Sequence, residues 1–223
     1  MQLNVTHVTQ YDYRPAVEVS AHLAHLRPVC GPCQEVVQHA LKIEPEADES
    51  GERVDAYGNA VQFWALHSPH ESLCVTATSH IVTREPQAST STLGWAGLAA
   101  LYEYQAGKAC PPHAQYTFAS THVPISAALR DWALDGLMPE TSALATGIRL
   151  TQRIHSEFVY DSQSTHVGTS MMEAFERKRG VCQDFAHILL SALRSLGLPA
   201  RYVSGYLLTE PPPGQTKLIG SDA

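Results

Sequence analysis

Hydrophobic and polar residues alternate along the first third of the chain, and then the period lengthens. From Leu3 to Thr9 the positions Leu3, Val5, His7 and Thr9 share one side, and Asn4, Thr6 and Val8 share the other. A period of two is the signature of a strand with one buried face. Val17 to Leu26 reads as a second extended stretch. Gln34 to Ile43 alternates less cleanly, through Val36, Val37, Ala40, Leu41 and Ile43. Pro45 to Arg53 is polar and reads as a loop. Asp55-Ala56-Tyr57-Gly58-Asn59 reads as a turn, because Gly and Asn accept positive φ at little cost. Val61 to Leu66 and Leu73 to Val82 are strands again. Short strands separated by regular turn signals predict an N-terminal antiparallel β-sandwich over residues 1–85.

Residues 86–124 read as a linker or irregular segment, opened by a polar, Pro-containing stretch and broken by Cys110-Pro111-Pro112. Beyond Ile125 the spacing becomes helical. Ile125, Ala128, Leu129, Trp132 and Leu137 predict one helix, and Ser142 to Phe158 predicts another. Asp161 to Thr169 is a polar loop, and Ser170 to Arg177 is a short helix ended near Gly180. The clearest helix runs from Cys182 to Leu196, with Phe185, Ile188, Leu189, Ala192, Leu193 and Leu196 on one face. Gly197 caps it and Pro199 prevents its continuation. Ala200 to Leu208 predicts a strand, Pro211 to Gly214 a turn, and Thr216 to Ile219 the opening of a return strand. The fold class expected is α+β, with residues 125–223 forming the second unit.

Charge and composition narrow the function. A formal charge of −7 with scattered Lys and Arg lacks the basic footprint of a nucleic-acid binder. No apolar run approaches the eighteen or so residues a membrane-spanning helix needs, and the N-terminus lacks a signal-peptide pattern. The five cysteines, Cys30, Cys33, Cys74, Cys110 and Cys182, are odd in number and sparse, as in reduced proteins. The expected compartment is cytoplasmic.

Cys182 is the strongest chemical candidate. A helix start leaves backbone N–H groups without intrahelical acceptors and carries partial positive charge. That field favours thiolate over thiol, and the same N–H groups can donate to a developing oxyanion. Gly180 allows close backbone approach just before it. A small buried hydrophobe is the competing reading of a free cysteine. Asp184 leans that way, since a nearby carboxylate opposes thiolate formation.

Two segments carry a resemblance. Gly180-Val181-Cys182-Gln183-Asp184-Phe185-Ala186-His187 is similar to the nucleophile segment of bacterial transglutaminase-like proteins, a superfamily that includes cysteine proteases. Gly197-Leu198-Pro199-Ala200-Arg201-Tyr202-Val203-Ser204-Gly205-Tyr206 resembles the strand that follows it there. The N-terminal half resembles the β domain that precedes this core, through Tyr11-Asp12-Tyr13, Leu26-Arg27-Pro28, Asp55 to Asn59 and Pro69-His70. The resemblance implies a papain-like core and acyl transfer from an amide or peptide carbonyl through a thioester on Cys182, the residue's own N–H serving the oxyanion. Water as acceptor gives hydrolysis, and an amine gives cross-linking. It implies a protein or peptide substrate and no cofactor or metal.

The family's His-Ala-Trp segment and later Asp have no match in this sequence. The core is therefore expected to be partial, the chain truncated, and the 223-residue chain inactive as it stands. His187 lies five residues past Cys182, pointing well away on a helix. His155 and His166 match no motif. A non-catalytic binding or assembly module on the same fold is the alternative, with homodimerisation through an open sheet edge.

Three signals look sharper than their context allows. Cys30-Gly31-Pro32-Cys33 has the form of a dithiol redox motif but lies between strands, where a hairpin loop is expected. His22 and His25 lack the paired spacing of a zinc site. Tyr160, upstream of the nucleophile, is a candidate for lining its cleft, though a lone Tyr more often packs.

Overall fold

The computed structural model describes residues 1–87, 92–161, 170–208 and 213–214. The chain divides into two compact units, Met1–Ala88 and Ser89–Ala223.

The first unit contains β1 (Gln2–Val17), β2 (Ser20–Ala24), β3 (Gln34–Glu44), β4 (Glu49–Val54), β5 (Ala60–Leu66) and β6 (His70–Thr83). They form two antiparallel three-stranded sheets, in the orders β1-β6-β3 and β2-β5-β4. The central strands show the clearest alternation. Leu73, Val75, Ala77, Ser79 and Ile81 of β6 are buried at every second position. Trp64 and Leu66 from β5 meet Leu73 and Val75 in one core, flanked by Tyr13, Leu26, Leu41 and Ile43.

The polar stretch 45–53, expected as a loop, instead carries most of β4. Its side chains are almost all exposed, so no alternation marks it. It is an edge strand held by its ladder to β5, and the Phe63 ring lies across Gly51. A Cβ at Gly51 would sit 2.4 Å from Phe63 Cζ, so the absent side chain makes room for the ring.

The second unit contains α1 (Trp95–Leu101), α2 (Ala127–Leu134), α3 (Ala143–Glu157), β7 (Val159–Tyr160), α4 (Met171–Arg177), β8 (Arg179–Gly180) and α5 (Cys182–Ser195). α1 falls within the segment expected to be a linker. Its Trp95 is buried and donates Nε1–H to Met138 O at 3.0 Å, so this stretch belongs to the core. Serines cap three of the helices: Ser126, Ser142 and Ser170 accept from the N–H groups of Leu129, Ala145 and Glu173. Leu129, Leu150, Ile154, Phe158, Ile188 and Ala192 pack together as the centre of the core.

The segment 200–208 was expected to be a strand. Its described residues form only an isolated bridge at Tyr206. Tyr and Val favour extended backbone but supply no partner strand. The backbone here is tied to the rest of the unit by the Ala200 N–H, which donates to Tyr116 O at 3.1 Å. The expected return strand at 216–219 lies outside the described residues. No helix among the described residues is long and apolar enough to cross a membrane.

Candidate active site

Cys182 is the first residue of α5 and is exposed. Three features fix the backbone that delivers it. Lys178, at the end of α4, adopts the left-handed conformation, with φ 53°. Its Nζ lies 4.2 Å from the Phe175 ring centroid, 4.3 Å from Phe158 and 5.4 Å from Trp132. A cation over aromatic faces is attracted by their quadrupoles. Glu157 adds an ion pair to the same Lys178 at 3.5 Å. Partial burial pushes the Glu157 carboxyl up, but hydrogen bonds from Trp132 and Arg153, and the charges of Arg153 and Lys178, outweigh it and hold the group below its ordinary value.

The next two residues, Arg179 and Gly180, form β8 and pair in parallel with Val159 and Tyr160 of β7. The Asp161 N–H donates to Gly180 O at 3.0 Å, and Arg179 Nη1 reaches Asp161 Oδ2 at 3.0 Å. The start of α5 is then closed by Asp184. This carboxylate is buried and accepts the Val181 N–H through Oδ2 at 2.9 Å. A Cβ on Gly180 would meet that oxygen at 2.7 Å and Asp184 Cβ at 3.0 Å. Gly180 is thus required by the cap rather than by the thiol directly.

The Asp184 carboxylate, whose charge opposes thiolate formation at this position, points back to Val181, satisfying one donor outside the helix and leaving the N–H groups of the first turn unanswered by any intrahelical acceptor. An exposed sulfur in that field has the setting of a nucleophile.

The histidines sort plainly. His155 is exposed on α3, and His166 lies outside the described residues. His187 is about 140° round the helix from Cys182. Its ring is stacked at 5.7 Å on His122, and Tyr202 packs against it at 5.4 Å. Burial, the neighbouring His122 and Arg194 push the His187 pKa down, while Asp184 opposes the shift. Tyr202 lies within electrostatic reach of the thiol: burial first, and then the charge of Cys182, push its hydroxyl above the usual tyrosine value. Tyr160 sits in register with Gly180 and is exposed.

Sequence reasoning missed Tyr202, Arg194 and Lys178. Only Arg194 left a usable signal: it follows His187 by seven residues, which places the two on one helix face.

The other candidates are structural. Cys30 and Cys33 are free thiols, Cys33 within and Cys30 just before a tight turn in which the Gly31 N–H donates to Gln34 O and the Gln34 N–H to Gly31 O. His22 stacks on Trp64 at 5.3 Å, and His25 pairs with Asp55 at 3.7 Å. Among the described residues no group of three or more His, Cys, Asp or Glu is placed to hold a metal ion.

An antiparallel β unit followed by an α+β unit with a thiol at the first turn of a core helix defines the class of transglutaminase-like proteins. Residues 3–82 match the bacterial transglutaminase-like N-terminal region, and residues 131–219 match the transglutaminase-like superfamily core. A protein of Mycobacterium tuberculosis described as uncharacterized is 36% identical over 224 residues, covering 98% of this chain and 70% of the relative. A Mycobacterium leprae protein, also described as uncharacterized, is 32% identical over 206 residues, covering 92% of this chain and 71% of its own. The crystal structure of a "Putative Cysteine Protease" from Cytophaga hutchinsonii superposes with a TM-score of 0.69 at 18% identity, covering 92% of this chain and 67% of that one. The chain belongs to the bacterial transglutaminase-like superfamily.

Proposed function

We propose that Cys182 is the nucleophile of a thiol acyl-transfer reaction on a protein or peptide amide. The thiolate attacks the carbonyl carbon, a C–S bond forms, and the oxyanion is met by N–H groups of the first turn of α5. Collapse breaks the C–N bond, and the departing nitrogen takes up a proton from solvent. Water or an amine then attacks the thioester, the C–S bond breaks, and the thiolate returns. Water as acceptor makes the protein a hydrolase, the direction suggested by the name of the Cytophaga structure.

Within the second unit, His155 is exposed on α3, and His187 and His122 are stacked on each other.

The observation that carries this reading is an exposed sulfur at the first position of α5 whose neighbouring carboxylate is reserved for the Val181 N–H. Cys30 and Cys110 are also exposed and serve as internal controls. Limiting iodoacetamide at neutral pH, followed by peptide mass analysis, should label Cys182 at least about tenfold faster than either. Equal rates at the three thiols would remove the reading.

A further inference from the structure

The two outer faces of the first unit differ in kind. Side chains alternate along a strand, so the pairing register assigns each residue to a face. Outside β1-β6-β3, Thr6 lies opposite Thr78, and Lys42 opposite Thr76, as on a sheet face turned to water. Outside β2-β5-β4 the corresponding positions are apolar. Trp64 and Leu66 of β5 point into the core, which turns Phe63 and Ala65 outward. Leu23 is the register partner of Phe63, and Ala21 that of Ala65. Leu23 is 63% exposed and Phe63 41%. An apolar face left open on a central strand marks a surface for another molecule.

The third strand says which molecule. On this face β4 presents Glu49, Gly51 and Arg53, opposite Ala65, Phe63 and Val61. The Phe63 ring lies down over Gly51, so the middle row, Leu23–Phe63–Gly51, is low and apolar. Opposite charges stand two residues to either side of that row, on one strand. When a second copy is laid on the face about a two-fold axis along the row, the strand directions reverse. Glu49 then faces Arg53 of the partner subunit, and the reverse pair forms across the axis. The face is self-complementary, as an isologous contact requires. Both charges are open to such a pairing. Glu49 meets the exposed His67 at 3.6 Å, a contact worth little in water. Arg53 makes no ion pair among the described residues.

We propose that two copies of this chain associate through the outer face of β2-β5-β4, about a two-fold axis along the Leu23–Phe63–Gly51 row. Face-to-face sheets stack with their strands nearly aligned, and this rotation lays each strand antiparallel over its own equivalent. The contact is distinct from pairing at a sheet edge and is independent of the chemistry at Cys182.

Sedimentation of the whole chain tests it. Three short strands cover less than the roughly 800 Å² a side of a standard interface. The monomer–dimer equilibrium is therefore expected between about 10 μM and 1 mM. Phe63→Thr keeps a β-branched residue in the strand and removes the ring, and should weaken the dimer at least about tenfold. Arg53→Glu sets like charges across the axis twice and should weaken it about five- to tenfold. Combining Glu49→Arg with Arg53→Glu exchanges the charges and restores both pairs, so the dimer should return to within about twofold of the parent. Both charged residues are exposed, so the exchange tests the contact whatever Phe63→Thr does to folding. A parent that stays monomeric throughout that range overturns the proposal. Self-association that Phe63→Thr and Arg53→Glu leave unchanged would place the contact at a sheet edge or elsewhere and overturn it as well. So would a charge-exchanged chain that dimerises no better than Arg53→Glu alone.

Discussion

The chain presents two exposed thiols beside a glycine, and their surroundings differ in what the backbone still has to give. At Cys30-Gly31-Pro32-Cys33 the turn consumes its own donors. The Gly31 and Gln34 N–H groups bond across the turn, and the Val36 N–H lies 3.4 Å from Cys30 Sγ. At Cys182 the Val181 N–H is taken by Asp184, and the next N–H groups belong to the first turn of a helix, where no intrahelical acceptor exists. The first motif matches a pattern of letters. The second supplies a field. A cysteine's chemistry follows from the donors and charge its backbone element leaves available.

The two glycines break this comparison most directly. Gly180→Ala forces a Cβ into Asp184, so the carboxylate must leave the Val181 N–H. A loss of about 2 kcal/mol in urea unfolding is expected from the broken cap and the crowding, together with several-fold slower labelling of Cys182. Gly31 has nothing within 4 Å of its would-be Cβ. Gly31→Ala should stay within about 0.5 kcal/mol of the parent. Equal losses at both sites would mean that the helix start is no more constrained than the turn.

The next effect probes the segment that leads into the thiol. Lys178→Ala removes the cation lodged among Phe158, Phe175 and Trp132. It should cost about 1 kcal/mol. A matched substitution at Lys42, whose pairing with Glu44 is exposed, should cost almost nothing. Urea midpoints of the two variants decide it.

Much of this site was legible in the sequence. The helix from Cys182, its Gly197 stop, the serine caps and the strands of alternating period all follow from local rules. The β4 strand did not, because an edge strand with both faces wet shows no periodicity. The expected strand at 200–208 failed for the opposite reason. Its Tyr and Val favour extended backbone, but pairing depends on a partner that local composition does not contain. Lys178 looked like a charged residue at a helix end, and only the convergence of three aromatic rings, Trp132 from α2, Phe158 just past α3 and Phe175 from α4, gives it a role. Arg194 likewise acquires meaning from contacts far along the chain, as with Phe118 and Ser120, and Tyr202 from its packing on His187. Helix spacing fixes one face; it says nothing about what arrives on it.

Acid should act on the helical site through His187. Burial first, and then His122 and Arg194, lower the folded-state pKa beneath the ordinary value of 6.5. The unfolded chain therefore binds the proton more readily. Stability from this group is complete above about pH 6.5 and is lost as the pH falls through the lower folded-state value. Melting temperatures measured across that window should fall, and His187→Gln should flatten the decline. An unchanged slope in the variant would assign the acid sensitivity to other groups, His22 among them, whose pKa is also lowered, first by burial and then by His70.

A smaller effect isolates the charge of Asp184 from its capping role. Asp184→Asn keeps an oxygen for the Val181 N–H while removing a negative charge near the thiol. Stability should change by less than about 1 kcal/mol, and Cys182 labelling at neutral pH should rise about two- to threefold as the thiolate becomes easier to form. Slower labelling would show that the carboxylate helps the thiol rather than opposing it.

The smallest expected effect is none, and it completes the comparison. If the turn thiols carry no chemistry, Cys33→Ser should leave insulin reduction in dithiothreitol at the background rate and leave the urea midpoint unmoved. A dithiol catalyst needs its first cysteine at a helix start, where the thiolate leaves readily. Here Cys33 sits in, and Cys30 just before, a two-residue turn that leads into β3, and both thiols are free. Insulin reduction by the parent chain that exceeds background and disappears in Cys33→Ser would reverse the contrast between the two thiol sites. It would show that a turn with its backbone donors already engaged can still activate a cysteine.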